Sequence, residues 1–413
     1  MKILNLGSCN IDYVYELSHI VTPGETADSK SLALFPGGKG LNQSIALARS
    51  GVEIYHAGAI GNDGLFLKEL LDSSGVNTKY LKVEDASSGH AIIQVDEKGE
   101  NSIILYHGTN YMIDKDYIDS VLADFSDGDI LILQNEISNL QYIIDKAYEK
   151  KMRIVLNPSP ITDELKNINL SKISILILNE IEAFAFSGER KPTRVCDFFK
   201  TNFPRLSVVL TLGSKGSVYI DKNQMIICPS YSVEVKDTTS AGDTFTGYFI
   251  SGLVNGVEIK KALKIATAAA AISVSRKGAS SSIPTMDEVE NGLKSFLPNK
   301  LVIDKNQGKK DDVILYIEEN LQNVNLKKLA DFMGYSPSHA SSWIKSHFGE
   351  SFSEILQRKR LEKACGLLEE TTMSIGEIIN ICGYDNESFF RKLFKNHTGQ
   401  TPFIYRKNSQ KGR

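Results

Sequence analysis

Two apolar patterns divide the chain. Between residues 2 and about 298, short and nearly continuous apolar runs at 3–6, 55–60, 130–133, 153–156, 173–178 and 208–212 alternate with stretches of helical spacing at 41–49, 65–72, 140–150 and 262–276. A strand that is apolar on both faces is covered on both faces, so the alternation predicts an α/β domain with a mainly parallel sheet and helices on each side. Ligands in such sheets sit at the C-terminal ends of the strands. Segments 12–35 and 89–107 break the pattern with alternating residues, among them Ile92-Ile93-Gln94-Val95 and Ser102-Ile103-Ile104-Leu105-Tyr106. They predict a small antiparallel sheet that would serve as a lid or a dimerisation surface.

After Pro298 the stretch 299–312 is polar and carries a glycine, and it is read as a linker between domains 1–298 and 313–413. The second domain is helical and repeats itself. Leu326, Leu329, Ala330, Gly334 and Tyr335 return 49 residues later as Ile375, Ile378, Ile379, Gly383 and Tyr384. Each copy reads as a short amphipathic helix, a glycine turn and a second helix (338–348, then 386–397), with 352–368 as a joining helix.

Composition narrows the classes. A chain of 413 residues is too long for one core. No apolar run reaches the ~18 to 20 residues of a membrane span, which predicts a cytoplasmic protein with no membrane partner. The five cysteines show no Cys-x-x-Cys spacing, so neither a disulfide framework nor a zinc site is indicated. Net charge is −3, yet residues 336–413 hold 12 basic against 8 acidic side chains, so the basic excess lies at the C-terminal end.

The chemistry centres on Asp237-Thr238-Thr239-Ser240-Ala241-Gly242-Asp243-Thr244-Phe245. A helix start built from Ala241-Gly242-Asp243 leaves backbone N–H groups free behind small side chains, which suits a phosphate, and it sets a carboxylate beside that anion. An anion hole paired with a base is what phosphoryl transfer to an alcohol requires. A second stretch, Pro36-Gly37-Gly38-Lys39-Gly40-Leu41-Asn42-Gln43, lacks the Ser or Thr of a P-loop but suits close backbone approach to a polar ligand.

Together with Gly7-Ser8-Cys9-Asn10-Ile11-Asp12, Asn179-Glu180-Ile181-Glu182, Thr211-Leu212-Gly213-Ser214-Lys215-Gly216 and Arg276-Lys277-Gly278-Ala279, these stretches resemble the signatures of the PfkB sugar-kinase family, nearest its ribokinase branch, over about residues 1–298. The resemblance implies a ribokinase-like fold and an ATP-dependent kinase acting on ribose or a similar pentose. Asp243 would take the proton from the sugar's primary hydroxyl while the N–H groups of Ala241, Gly242 and Asp243 hold the γ-phosphoryl. Asn10, Asp12, Gly38, Lys39, Asn42 and Glu136 would bind sugar. Asn179, Thr211, Gly213, Ser214, Gly216 and Gly242 would contact ATP, with Thr267 where the branch carries an Asn near the adenine. Glu182 would organise Mg2+, and Asp237, Thr239, Ser273, Arg276, Gly278 and Ser282 would form K+-binding loops.

The paired repeats resemble the AraC/XylS family of transcription regulators over about residues 311–407, ending in Gly399-x-Thr401-Pro402. The resemblance implies that each second helix enters the major groove of double-stranded operator DNA. Ser338, His339, Ser341, Ser342 and Lys345 in the first repeat, and Asn386, Glu387, Ser388, Arg391 and Lys392 in the second, are the expected contacts. Lys345, Lys392 and Lys395 would meet phosphates, and Asn386 or Arg391 would read bases. Trp343, Ile344, Phe390, Leu393 and Phe394 belong to the core, and Arg358-Lys359-Arg360 reads as a solvated face. A lid-mediated homodimer would present four such units. The leading reading is thus a sugar kinase fused to a DNA-binding output. The alternative is a regulator whose kinase-like domain only senses sugar or nucleotide.

Overall fold

The computed structural model describes residues 1–163, 165, 168–299, 307–371 and 373–409, and the chain separates into two compact units, residues 1–302 and 303–413. In the first, the strands are β1 (Ile3–Leu6), β2 (Asn10–Glu16), β3 (Ser31–Gly37), β4 (Tyr55–Gly61), β5 (Asn77–Glu84), β6 (Gly89–Val95), β7 (Asn101–Tyr106), β8 (Ile130–Gln134), β9 (Arg153–Asn157), β10 (Ile175–Asn179), β11 (Ser207–Thr211), β12 (Ser217–Ile220) and β13 (Met225–Cys228). Its helices are α1 (Lys39–Arg49), α2 (Leu65–Ser73), α3 (Lys115–Leu122), α4 (Leu140–Glu149), α5 (Glu180–Ser187), α6 (Pro192–Asn202), α7 (Ala241–Val254), α8 (Ile259–Val274) and α9 (Met286–Ser295).

The main sheet has nine strands in the order β13-β12-β11-β10-β9-β8-β1-β4-β5. It is parallel from β11 to β5 and closes with an antiparallel hairpin, β12 and β13. The central strands are apolar on both faces because both are covered, as the runs at β1, β8, β9 and β10 predict. α7 is buried along most of its length, and its Tyr248, fully buried, donates from Oη to the Pro284 carbonyl at 2.6 Å. That bond satisfies the hydroxyl of a bulky side chain inside the core.

The second sheet, β3-β2-β6-β7, differs from the expectation in one respect. β2 pairs antiparallel to β3 but parallel to β6, so this sheet is mixed rather than antiparallel. Alternation along a strand fixes its face, and both pairing senses satisfy it equally.

The second unit contains α10 (Gln307–Glu319), α11 (Leu326–Met333), α12 (Pro337–Phe348), α13 (Phe352–Glu370), α14 (Ile375–Ile381), α15 (Glu387–Thr398) and α16 (Pro402–Ser409). Of the stretch read as a linker, residues 300–306 lie outside the described residues, and α10 already begins at Gln307. Val313 and Ile317, four residues apart and fully buried, draw this polar segment into a helix. Each repeat has its own core. Val313, Ile317, Leu329, Trp343 and Ile344 form the first, while Leu361, Ile378, Ile379, Phe390 and Phe394 form the second. Leu393 is half-buried against the latter. α13 serves both, giving Ile355 to one and Leu361, Ala364 and Leu368 to the other. Among the described residues no helix is long and apolar enough to cross a membrane.

The basic run on α13 is not a free solvated face. Arg358 pairs with Glu350 and Glu362, each at 3.1 Å, and Lys359 pairs with Glu318 at 3.0 Å and Glu362 at 2.7 Å. Arg360 donates from Nε and Nη2 to the Leu321 carbonyl at 2.8 and 2.6 Å, and its guanidinium lies 5.3 Å from the Tyr384 ring centroid. It therefore joins the turn after α10, in the first repeat, to the core of the second. Arg360→Ala should cost about 1–3 kcal/mol by leaving that carbonyl unpaired. The fluorescence of Trp343, the chain's one Trp, would then report unfolding at lower urea; an unchanged midpoint would count against the role.

Candidate active site and nucleic-acid interface

The loops after β1, β8, β10 and β11 and the start of α7 converge at the C-terminal ends of the parallel strands. A cleft of about 760 Å³ opens there, lined by Lys39, Asn179, Glu182, Thr211, Gly213, Ser214 and Gly216 with residues 238–243 and Thr267. At the start of α7, Ser240 takes a left-handed conformation (φ 60°), held by its hydroxyl donating to the Ala279 carbonyl at 3.0 Å. The Ala241 N–H donates to Thr238 O at 3.3 Å, while the N–H groups of Gly242 and Asp243 have no partner among the described residues. Two free donors therefore face the cleft at the positive end of a 14-residue helix.

Asp243 is buried at 5% exposure. Asn42 Nδ2 and Gln43 Nε2 donate to its Oδ2 and Oδ1 at 3.2 and 2.9 Å. Burial pushes its carboxyl above the usual carboxylate range, with Lys39 and the two amides opposing and Glu136 adding to the rise. Burial disfavours the charge of Lys39, but Asp243, Glu136 and Glu182 outweigh it and hold the ammonium above its ordinary pKa. The result is a desolvated carboxylate beside a firmly charged lysine.

Asn10, Asp12, Gly38, Asn42 and Glu136 do not line this cleft but connect to it. Glu136 accepts from Ser8 Oγ and from the Lys39 N–H, the latter at 3.0 Å, while Asn110 donates to Asn10 Oδ1 at 2.7 Å. Asp12 lies against Gly37, where a Cβ would stand 2.2 Å from Oδ2. Gly38 adopts φ 94° at the cap of α1, a conformation a side chain would strain. Burial, then Glu136, raises the Asp12 pKa to about 7. Asn42 Oδ1 is buried without a hydrogen-bond partner among the described residues.

A polar chain beneath the site escaped the sequence reading. Gln134 Nε2 donates to Gln43 Oε1 at 2.7 Å and Asn5 Oδ1 at 3.0 Å, Asn5 Nδ2 donates to Ser44 Oγ at 2.9 Å, and Ser44 meets His56 Nδ1 at 2.8 Å. Burial lowers the His56 pKa to about 4, so the chain is uncharged at neutral pH. Polar residues inside apolar strands, such as Asn5 in β1, were the available signal.

The remaining expected residues fall in two groups. Asn179 and Glu182 cap α5 reciprocally: Glu182 Oε2 accepts the Asn179 N–H at 2.8 Å and Asn179 Oδ1 accepts the Glu182 N–H at 3.0 Å. Asp237 accepts the N–H groups of Thr239 and Gly278, each at 2.9 Å. Burial works against its charge, but these bonds and Lys277 hold its pKa low. Ser240, Ser273 and Ser282 bring their hydroxyls within 2.8 to 3.5 Å of one another. The Arg276 side chain turns away to Glu288 at 2.5 Å. The Thr267 hydroxyl bonds back to the Leu263 carbonyl at 2.7 Å.

In the second unit, Ser338, His339, Ser341, Ser342 and Lys345 share an exposed face of α12. Asn386, Glu387, Ser388, Arg391, Lys392 and Lys395 are exposed at or along α15. Asn386 is the N-cap of α15, its Oδ1 accepting the Phe389 N–H at 2.9 Å, and Arg391 pairs with Glu387 at 2.5 Å.

Residues 1–286 match the model of pfkB family carbohydrate kinases, and residues 329–408 match a helix-turn-helix domain model. A ribokinase of Haemophilus influenzae is 35% identical over 296 residues, 68% of this chain and 95% of the relative. The ADP complex of ribokinase from Cryptococcus neoformans var. grubii serotype A is similar with a TM-score of 0.64 at 35% identity, over 70% of this chain and 99% of that one. Arabidopsis thaliana ribokinase complexed with ribose and ATP gives 0.62 at 30% identity, over 71% and 98%.

Proposed function

The chain belongs to the pfkB family of carbohydrate kinases and joins that domain to an AraC-type helix-turn-helix domain, and on that premise we propose that it phosphorylates the primary hydroxyl of ribose or a similar pentose with ATP and binds operator DNA in response. The observation that carries the reading is Asp243: a buried carboxylate, oriented by two amides, beside the free N–H groups of a helix start. A domain that only sensed sugar would have no use for a base at that point.

In this reading Asp243 accepts the hydroxyl proton, and the N–H groups of Gly242 and Asp243, with Ala241 completing the turn, receive the γ-phosphoryl charge. Lys39 adds positive charge. Asn10, Asp12, Gly38, Lys39, Asn42 and Glu136 hold the sugar, and the unpaired Asn42 Oδ1 suits a sugar hydroxyl donor. Asn179, Thr211, Gly213, Ser214, Gly216 and Thr267 border the nucleotide.

The donor sets fit the expected ions. Glu182 is a buried carboxylate on the cleft wall, as a magnesium–phosphate complex needs, and the ion would neutralise phosphate charge. Asp237, Thr239, Ser273, Arg276, Gly278 and Ser282 would hold potassium, partly through backbone carbonyls, and the ion would stiffen the loop before α7.

The deciding experiment incubates the purified chain with ATP, magnesium and a panel of pentoses and hexoses. A sugar phosphate is the expected product. Sugar binding without turnover on any member would instead favour the sensor.

Asp12 gives a pH signature. Its folded pKa is raised, so the carboxylate that accepts sugar hydroxyls is lost as pH falls through about 7. The sugar KM should rise by up to about tenfold per pH unit below that point, and Asp12→Asn should flatten the dependence. A KM indifferent to pH in the native chain would refute the assignment.

A further inference from the structure

The chain leaves its first unit along the wall of the nucleotide cleft. Leu297 O accepts the Ser232 N–H at 3.2 Å, Asn299 N–H donates to Ser230 O at 2.8 Å, and Pro298 bridges antiparallel to Tyr231. Asn299 Nδ2 donates to Ser230 Oγ at 2.7 Å, and that hydroxyl donates to the Ser214 carbonyl. Asn299, Ser230 and Ser214 all line the cleft.

Asn299 lies outside the residues matched by the kinase family model, 1–286, and is the last described residue before α10. The cleft lining divides by chemistry. Beside its polar residues, Val233, Val235, Ala270, Ala271 and Val274 offer the apolar surface a planar base needs. The extended segment carrying Tyr231 to Val235 is the one that Leu297–Asn299 bridges to. Asn299 Oδ1 has no partner among the described residues, and a carboxamide matches the donor and acceptor edge of a purine.

We propose that Asn299 contacts the bound nucleotide from outside the kinase module, so that occupancy of the cleft holds segment 297–299 in place and is transmitted along the chain to the DNA-binding unit. The inference rests on the kinase reading. It needs no new ligand, only a nucleotide whose binding differs between two states of the segment. By reciprocity, DNA changes nucleotide affinity by the same factor.

The test uses the full chain with ADP and with the duplex that the native chain selects from a random-sequence library. ADP should slow hydrogen exchange at the Ser232 and Asn299 amides. It should also shift affinity for the duplex by about fivefold or more. Asn299→Ala should weaken ADP binding about three- to tenfold and remove the shift. The exchange and DNA measurements use the native chain, so a misfolded variant does not decide the matter. ADP binding with unchanged exchange and unchanged duplex affinity overturns this inference alone. Failure of the native chain to bind ADP overturns it together with the kinase reading.

Discussion

Asp243→Ala should lower sugar phosphorylation by about 10²- to 10⁴-fold, the range for losing a positioned base, while ADP still binds. The expectation follows from geometry. Asp243 is the carboxylate at the α7 start, and its amide partners Asn42 and Gln43 come from α1, so removing it leaves the cleft wall standing. The sign of the pH effect follows from its environment. Burial raises its pKa, so the ionised base is lost as pH falls through a value above the usual carboxylate range. The acid limb of kcat should therefore lie above that of a solvated Asp and vanish in the variant. A variant with near-native turnover would remove Asp243 from the chemistry, whatever the state of the fold.

Arg391→Ala should weaken specific DNA binding by ~1–3 kcal/mol, about 5- to 150-fold, and relax preference at one base pair. In the structure the guanidinium is held by Glu387 through Nε and Nη2, one turn back on α15. That exposed ion pair is weak and is replaceable by a base edge. Lys392→Ala supplies the contrast, because a phosphate contact carries no sequence information. It should weaken binding to all sequences alike and reduce the salt slope by about one. Equal losses on specific and random duplexes for Arg391→Ala would assign it to the backbone instead.

Much of this architecture was legible in the chain itself. The strands at 3–6, 130–134 and 153–157 followed from apolar runs, because burial on both faces favours apolar side chains at most positions. The doubled helical hairpin followed from the 49-residue repeat, and its caps are local: Ser336, Ser374 and Asn386 each accept an N–H three residues on. Gly-rich stretches marked the helix starts at α1 and α7 for the same reason, since backbone conformation is written in neighbouring residues.

What the sequence could not determine depends on residues far apart along the chain. Gln43 and Asp243 are separated by 200 positions, and only packing of α1 beside α7 makes one the orienting donor of the other. The parallel pairing of β2 with β6 is invisible because alternation is identical in either sense. Arg360 read as a surface charge until the turn after α10 brought the Leu321 carbonyl to it. Nor does any local pattern place Asn299 on the cleft wall. Local propensity and periodicity decided the elements and the module order, whereas the burial and charge around Asp243, Lys39 and Asp12, and hence their protonation, exist only once distant segments exclude water together.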